Sequence, residues 1–394
     1  MARRTFRVLH LSPFRQAISG SDESLVDLAG NLGAFGIESV VALPKSSPYV
    51  GRYEKAGAKI VHLPVVSIRR SYRPDRWAGF AFGMVADLIG LRALLKSNAI
   101  QLVHTNMETV PAGLLAARNA GLPGVVHVRS TSIGHPRWVF RRLVGYLRRY
   151  SDRAIAISDA VYNLLLEGGF PAERLVKIYD PIDVNLYRPR SNDEISRLFK
   201  EKLGGSGVPS GSRIVGLIGR MNPIKGQGVF LDAAASIATR FEDAQFLLIG
   251  SAADSRELRY EEELRRKARS LGIAERTHFM GFRSDVCDLL PLFSVSVSPS
   301  TTEAFGRPAA EAMACGVPVV VTATDGLKEI VLDGETGLIV PPQNAEALSD
   351  AVAKVLSDSA LAARMGRRGR ERVIANFSSG IHAEKMRLLF ESLL

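Results

Sequence analysis

Two carboxylates, Glu303 and Glu311, and two cations, Arg220 and Lys225, are the residues of this 394-residue chain whose types and spacing point to chemistry. The carboxylates lie in PSTTEAFGRPAAEAMACGVP, residues 299–318, with seven residues between them. Before them, residues 293–298 alternate apolar and small polar side chains as a strand does. After them, residues 308–315 are Ala-rich and helical, with Gly316 as a stop and Pro318 beyond. Thr301, Thr302, Glu303, Phe305 and Gly306 therefore fall on a strand-to-helix turn. At the carboxyl end of a parallel strand, such a turn meets the unpaired N–H groups and positive dipole end of the next helix, which suits a diphosphate. Taken alone, the two acids also fit a plainer role, favouring the helix dipole by about 0.3–1 kcal/mol each.

Arg220 and Lys225 stand in IVGLIGRMNPIKGQG, residues 214–228, an apolar strand running into a glycine-punctuated turn before a helix expected from about Val229. A guanidinium fork and a mobile ammonium both suit phosphate oxygens. The turn is neither a Walker loop nor a G-x-G-x-x-G fingerprint, and by itself the pair also fits a solvated surface. Two more buried-type strand ends follow, QFLLIGS at 245–251 and HFMGFRSD at 278–285.

The ordered set GRMNPIKG, LIG, GFRSDV, SPSTTEAFGRPAAEAMACGVPVV and DGLKEIVLDGETGLIVPP resembles the retaining glycosyltransferases of family 4, which have the GT-B fold. The resemblance covers essentially the whole chain and is most specific over residues 214–342. It implies an α/β architecture of two Rossmann-like doubly wound domains facing a central cleft. It also implies transfer of a sugar from a nucleotide-sugar donor, a UDP- or GDP-sugar, with retention of configuration, no cofactor and no required metal. By position, Glu303 matches the glutamate that contacts the donor sugar and Glu311 the one that holds the ribose hydroxyls, while Arg220 and Lys225 match the diphosphate pair. Ala304, Phe305 and Gly306 match the turn whose backbone N–H groups approach the sugar, where a glycine leaves room for ligand. Gly281 and Phe282 fall where the nucleobase sits, and Gly20 and Ser21 where the first strand–helix connection reaches phosphate or acceptor. Ser21 also fits an N-cap of a helix expected over residues 22–32, worth about 1 kcal/mol.

The chemistry of the residues agrees with that implication. As a glycosyl–phosphate bond breaks, negative charge grows on the departing diphosphate. Arg220, Lys225 and the helix start near Phe305 would stabilise it by fixed electrostatics, a term of about 2.7–4 kcal/mol per donor in other enzymes. Two departures from the family stand out. Where many relatives carry a histidine, the chain has Arg129 in HVRS, with His127 two residues earlier on the same side of the strand. The catalytic histidine's place is thus open: His127 is either that group or a core residue, and Arg129 is a candidate to take over a contact to sugar or acceptor. Asp180-Pro-Ile-Asp183 stands where relatives read Asn-Gly-Val-Asp, so Pro181 should stiffen the entry to the hinge.

The elements that must position these groups read as alternating strand and helix. In the N-terminal half, strands are expected at 6–11, 39–43, 60–63, 102–105, 125–129 and 154–158, hence a parallel sheet covered on both faces. The expected organisation is an acceptor-binding domain at 1–185, a linker at 186–211 with a helical stretch at 192–203, a donor-binding domain at 212–379, and a final helix at 380–394 that crosses back. Such a length with 46% hydrophobic residues can bury one large or two medium cores, and two domains are the natural division.

Two cysteines, Cys287 and Cys315, argue against a disulfide framework, and no run of about 18 consecutive apolar residues is present, so a cytoplasmic location is expected. Charge is uneven: residues 1–185 hold 24 Lys/Arg against 14 Asp/Glu, a net +10, leaving 27 against 26 in the remainder. Within the basic half, a helical stretch at 135–153 interleaves Trp138, Val139, Leu143, Val144 and Leu147 with Arg137, Arg141, Arg142, Arg148 and Arg149, and residues 69–77 repeat the basic-aromatic pattern. These suit either an anionic lipid surface, at about 1 kcal/mol per Lys or Arg, or a solvated face over a core helix. No nucleic-acid-binding signature accompanies the charge. The acceptor expected is a cell-envelope glycan or glycolipid precursor, met by loops at 65–79 and 131–139. A nucleotide-sugar epimerase, a phosphorylase, or a catalytically silent nucleotide-sugar sensor or scaffold in glycan assembly are the alternatives.

Overall fold

The computed structural model describes residues 5–13, 20–68, 74–131 and 136–394, with the backbone alone at 74–77. Arg69, Arg70, Tyr72 and Arg73 of the second basic-aromatic stretch, and residues 132–135 of the second expected loop, lie outside the described residues.

The chain forms two compact units, residues 1–181 with 379–394, and residues 182–378. In the first, strands and helices alternate as β1 (Phe6–Leu11), α1 (Gly20–Leu32), β2 (Ile37–Leu43), α2 (Val50–Lys55), β3 (Lys59–His62), α3 (Pro74–Ser97), β4 (Leu102–Thr105), α4 (Pro111–Ala120), β5 (Gly124–Val128), α5 (Arg137–Tyr150), β6 (Arg153–Ala156), α6 (Asp159–Glu167) and β7 (Leu175–Lys177). The seven strands are all parallel in the order β3-β2-β1-β4-β5-β6-β7, which puts a topological switch point between β1 and β4.

Alternation along β1 builds two cores. Phe6 and Val8 face Leu25, Leu28 and Leu32 of α1, while Leu9 and Leu11 face the layer holding Leu91 and Leu94 of α3 and Ala112 and Ala116 of α4. The expected strands are present to within two residues, and β7 was not anticipated. The loop expected at 65–79 becomes helix from Pro74, and α1 starts at Gly20, so Ser21 lies inside the first turn instead of capping it.

The second unit runs α7 (Asn192–Leu203), β8 (Arg213–Ile218), α8 (Gln227–Arg240), β9 (Ala244–Ile249), α9 (Ser255–Ser270), β10 (Thr277–Phe279), α10 (Val286–Leu289), β11 (Val295–Ser298), α11 (Arg307–Ala314), β12 (Val319–Thr322), α12 (Asp325–Ile330), β13 (Leu338–Val340), α13 (Ala345–Ser357) and α14 (Ser359–Asn376). Its six parallel strands take the order β10-β9-β8-β11-β12-β13, with the switch point between β8 and β11. A last helix, α15 (Ser379–Glu391), belongs to the first unit, where Met386 and Phe390 pack on the sheet face that α1 covers.

The expected boundary at residue 185 falls instead after Pro181, and residues 186–211 are part of the second unit. The reason is a set of ties that sequence spacing does not reveal. Arg370 on α14 donates to the carbonyls of Val184 (3.3 Å), Tyr187 (3.1 Å) and Ala314, and Arg190 and Lys202 pair with Asp288 at 3.3 Å each. α7 carries its own capping box between Ser191 and Glu194.

Candidate functional site

All six strands of the second sheet run the same way, so the loops after β10, β9, β8 and β11 open along one carboxyl edge. Those loops carry, in that spatial order, Gly281 and Phe282, then Gly250, then Arg220 and Lys225, then Glu303, Ala304, Phe305 and Gly306. Lys225 follows β8 and Glu303 follows β11, so they stand on opposite sides of the switch point, and there they meet: Lys225 Nζ donates to Glu303 Oε2 at 2.6 Å. Ser300 Oγ donates to the same oxygen at 3.2 Å. The loops are laced by backbone bonds as well, Thr301 N to Ile224 O at 2.8 Å and Gly250 N to Gly281 O at 2.8 Å.

Two left-handed glycines make this lacing possible. Gly226, at φ +74°, ends the short turn Pro223–Lys225, and a Cβ there would stand 2.1 Å from Pro299 O. Gly306, at φ +103°, caps α11, and a Cβ would stand 2.4 Å from Leu327 Cδ2 and 3.4 Å from Glu303 Cγ. Only glycine adopts both conformations without strain. The eight residues of α11 then start with their positive dipole end at the turn that holds Glu303.

Glu311 lies on the inner face of α11, buried, and Arg307 Nε donates to it at 2.9 Å one turn back. The Phe305 ring packs edge-on against Phe377 at 5.7 Å and is buried, so what this residue offers a ligand is backbone. Phe282, by contrast, is half exposed.

Arg220 reaches out from the β8 turn with 58% of its side chain exposed, yet it is not loose, for its Nε donates to Glu257 Oε1 at 3.0 Å. Glu257, buried on α9, also accepts from Asn222 Nδ2 at 3.0 Å and Ala253 N at 2.7 Å. One carboxylate thus ties the arginine, the Asn222 turn and the loop after β9 together. Sequence reasoning missed it; the signal available was Asp254 three residues earlier, which caps α9 and so aims Glu257 toward the carboxyl edge.

In the first unit, the corresponding edge brings together the loops after β1, β4 and β5. Asn106, just past β4, donates from Nδ2 to Ser21 O at 3.1 Å across the switch point. Arg129 donates from Nε to Asn106 O at 3.0 Å and from Nη2 to Asn106 Oδ1 at 2.9 Å, its Nη1 pairs with Asp180, and its backbone N–H reaches Glu108 Oε2 at 3.1 Å. Only 6% of the Arg129 side chain is exposed. The guanidinium expected to contact sugar or acceptor is therefore committed to holding Asn106 and Asp180. Burial raises the Glu108 carboxyl above its ordinary range.

His127 is fully buried, so it is a core residue. It belongs to a layer of four histidines on the α1/α15 face: the His10 and His104 Nδ1 atoms stand 3.0 Å apart, His104 and His127 rings lie 5.6 Å apart, and His127 stacks on His382 at 6.2 Å. Burial, the dominant cause, lowers the His10 pKa to about 3 and holds His104 and His127 well below the ordinary imidazole value, with the Arg129 charge adding to it for the last two. Both cysteines are free thiols, Cys315 buried.

Two family models match this chain, one on each unit: "Glycosyl transferase 4-like domain" over residues 19–179 and "Glycosyl transferases group 1" over residues 199–372. The chain belongs to the group 1 glycosyltransferases of family 4. Among curated relatives, a D-inositol 3-phosphate glycosyltransferase of Corynebacterium glutamicum is 30% identical over 54% of this chain and 50% of its own, so the match spans about half that relative's length. A lipopolysaccharide core biosynthesis mannosyltransferase of Rhizobium meliloti is 27% identical over 78% of this chain and 84% of its own.

Among solved structures, HepE of Anabaena, crystallised with UDP and glucose, superposes with a TM-score of 0.83 at 24% identity, over 98% of this chain and 100% of its own. This group 1 glycosyltransferase accordingly has the GT-B fold, two parallel-sheet Rossmann-like domains. Open α/β sheets take their ligands at such switch points, and the Lys225–Glu303 contact stands at the one between β8 and β11.

Proposed function

We propose that the chain transfers a sugar from a nucleotide-sugar donor to an acceptor with retention of anomeric configuration, the donor lying on the carboxyl edge of the second sheet. The observation that carries this reading is the Lys225–Glu303 pair at the switch point, next to an arginine held ready by Glu257. A donor diphosphate above β8 would draw Lys225 and Arg220 onto its oxygens, and the positive end of α11 adds to the same charge. Neutralisation of the leaving group by these two cations is the basis for a metal-independent reaction. Parting Lys225 from Glu303 would free the carboxylate for sugar hydroxyls, and Glu311, just inside α11, would take the ribose hydroxyls. Phe282 offers an exposed ring and Gly281 a backbone edge to the base. The ligands of HepE favour a UDP-sugar.

For the acceptor we favour a cell-envelope glycan or glycolipid precursor on the cytoplasmic face of the membrane, a reading supported by the lipopolysaccharide-core relative and by the basic first half. α5 supports it further: Phe140, Val144 and Leu147 are buried, while Arg137, Arg141 and Arg148 are exposed with Trp138.

The test is donor binding and turnover in the same preparation. A thermal-shift panel of UDP-, GDP-, ADP-, TDP- and CDP-sugars should single out one base, with about 2.7 kcal/mol of stabilisation at 100 times the dissociation constant. Lys225→Ala and Glu303→Ala should each remove transfer while the fold survives, and the product's anomeric configuration, read by NMR, should match the donor's. Near-wild-type turnover in either variant ends the site assignment, and binding without transfer to any acceptor turns the reading to a sensor.

A further inference from the structure

α3 is the one helix of this chain, among the described residues, that combines the length and composition to cross a membrane with a face left uncovered over its apolar stretch. Its inner face is built into the first unit. Asp87 is buried and accepts the Val65 and Val66 N–H groups at 2.7 Å each, Gly83 and Gly90 let the chain at Val66 and Leu63 approach closely, and Leu91, Leu94 and Leu95 enter the core. The outer face carries Phe82, Val85 and Ile89, which are 80%, 57% and 67% exposed. They follow one another at helical spacing, so they form a single stripe about 10 Å long. Between Ala78 and Ile89 the only charge is the buried Asp87; beyond Ile89 the same face continues with exposed Arg92 and Lys96.

Three large side chains at that exposure, in line, are not the scattered apolar residues of an ordinary surface. What covers them is identified by charge. The stripe ends in two cations one and two turns on. The crossovers β3→β4, β4→β5 and β5→β6 all step the same way across the sheet, which puts α3, α4 and α5 on one face, with α4 packed against both neighbours. Apolar α3 and arginine-rich α5 are thus two strips of one helical layer. A protein partner with a matching apolar groove would leave that cationic strip unexplained, whereas a bilayer with anionic headgroups meets both.

We propose that α3 lies in the headgroup region of an anionic phospholipid bilayer and inserts Phe82, Val85 and Ile89 among the acyl chains, with Arg92 and Lys96 reaching back to phosphate. Because its inner face stays on its own unit, the helix lies along the bilayer instead of across it. This extends the membrane-face reading given above by separating two contributions: α5 attracts, and α3 inserts. Attraction is screened by salt; insertion is not.

The experiment is co-sedimentation of the full chain with phosphatidylcholine vesicles, with and without phosphatidylglycerol, at low and high salt. The wild-type protein should bind the anionic vesicles and keep a salt-resistant fraction. Phe82→Ser/Val85→Ser/Ile89→Ser should lower that fraction about tenfold while leaving low-salt adsorption in place. Arg141→Glu/Arg142→Glu/Arg148→Glu/Arg149→Glu should do the reverse. The serine substitutions touch exposed positions only, so donor-dependent thermal shift and transfer to a soluble acceptor should be unchanged. Absence of donor-dependent shift and transfer in the wild-type protein itself, with salt-resistant vesicle binding intact, would count against the proposed function and not against insertion. As a second readout, Phe82→Trp should gain fluorescence that brominated lipid quenches. Equal salt-resistant binding in the serine variant, no quenching of the added tryptophan, or a concentration-dependent dimer that the serine variant abolishes would each overturn the proposal, the last assigning the stripe to a second copy of the chain.

Discussion

A single buried carboxylate, Glu257, decides where Arg220 points. The ion pair itself contributes little energy, because Arg220 is mostly in water and an exposed pair is typically worth 0–1 kcal/mol. Its weight is geometric: it removes rotamers from an arginine that would otherwise spend much of its time away from the β8 turn. Glu257→Gln keeps an oxygen for the Ala253 N–H but loses the charge, so the fold should stand while donor KM rises and kcat at saturation stays near the wild-type value, a loss of about tenfold in kcat/KM or ~1.4 kcal/mol. Glu257→Ala should add a stability cost of about 1–3 kcal/mol for the unpaired Ala253 N–H. Steady-state kinetics with donor varied, beside urea unfolding of both variants, separates the two effects. Equal fall of kcat in the Gln variant would make Glu257 part of the chemistry instead of its support. Arg129 teaches the converse lesson. Resemblance put it at the site by position, but its commitment to Asn106 and Asp180 depends on groups 23 and 51 residues away, and no local pattern announces them.

At the scale of elements, the parts legible in the sequence are those with a period. Apolar runs such as Val319–Thr322 mark buried parallel strands, and α7 announced itself through Ser191 and Glu194 at capping-box spacing. α3 has no such mark: its inner face uses Gly83, Asp87 and Gly90 where core residues are expected, and its outer face is apolar, so the usual contrast between faces is reversed over its first half. The turns at the switch point were legible as glycine positions, though the reason for each glycine is tertiary. Gly226 and Gly228 make the distinction measurable. A Cβ at Gly226 meets Pro299 O at 2.1 Å in a left-handed backbone, whereas at Gly228, inside α8, the nearest groups are the Lys267 and Tyr260 side-chain tips at 3.9 Å. Gly226→Ala should therefore cost at least about 1–2 kcal/mol and weaken the donor-dependent thermal shift, while Gly228→Ala should be neutral or stabilise by about 0.5–1 kcal/mol. Chemical unfolding of the pair checks both signs, and a tolerated Gly226→Ala would mean that the β8 and β11 loops are not held against each other as described.

The two units of the molecule are bounded differently from what the sequence suggested. Among the described residues, three hydrophobic cores are each drawn from a single unit, and the boundary at Pro181 sits four residues before the expected one because Arg370 pulls residues 184–187 onto the second unit. The titrating groups are divided in the same way. Burial lowers His10, His104 and His127, all on the first sheet, from an unfolded value near 6.5, with His10 at about 3. A histidine whose folded pKa is lowered is neutral in the native state, so between the two values the unfolded chain binds more protons. The stability these groups allow is fully present above about pH 6.5 and is lost as pH falls below it, at up to about 1.4 kcal/mol per pH unit for each histidine. The proposed donor residues on the carboxyl edge of the second sheet, in contrast, belong to the second unit, with Gly20 and Ser21 the expected phosphate contacts in the first. Hydrogen exchange followed by mass spectrometry at pH 7 and pH 5, with and without UDP, reads both effects by location. After correction for intrinsic rates, acid should deprotect amides of β1, β4, β5 and α15 first, and UDP should protect the loops after β8, β10 and β11 at either pH. His104→Leu should flatten the acid response without moving the UDP protection. Protection by UDP spread evenly over both units, or an acid response that begins in the second sheet, would show that stability is shared in a way these separate cores do not account for.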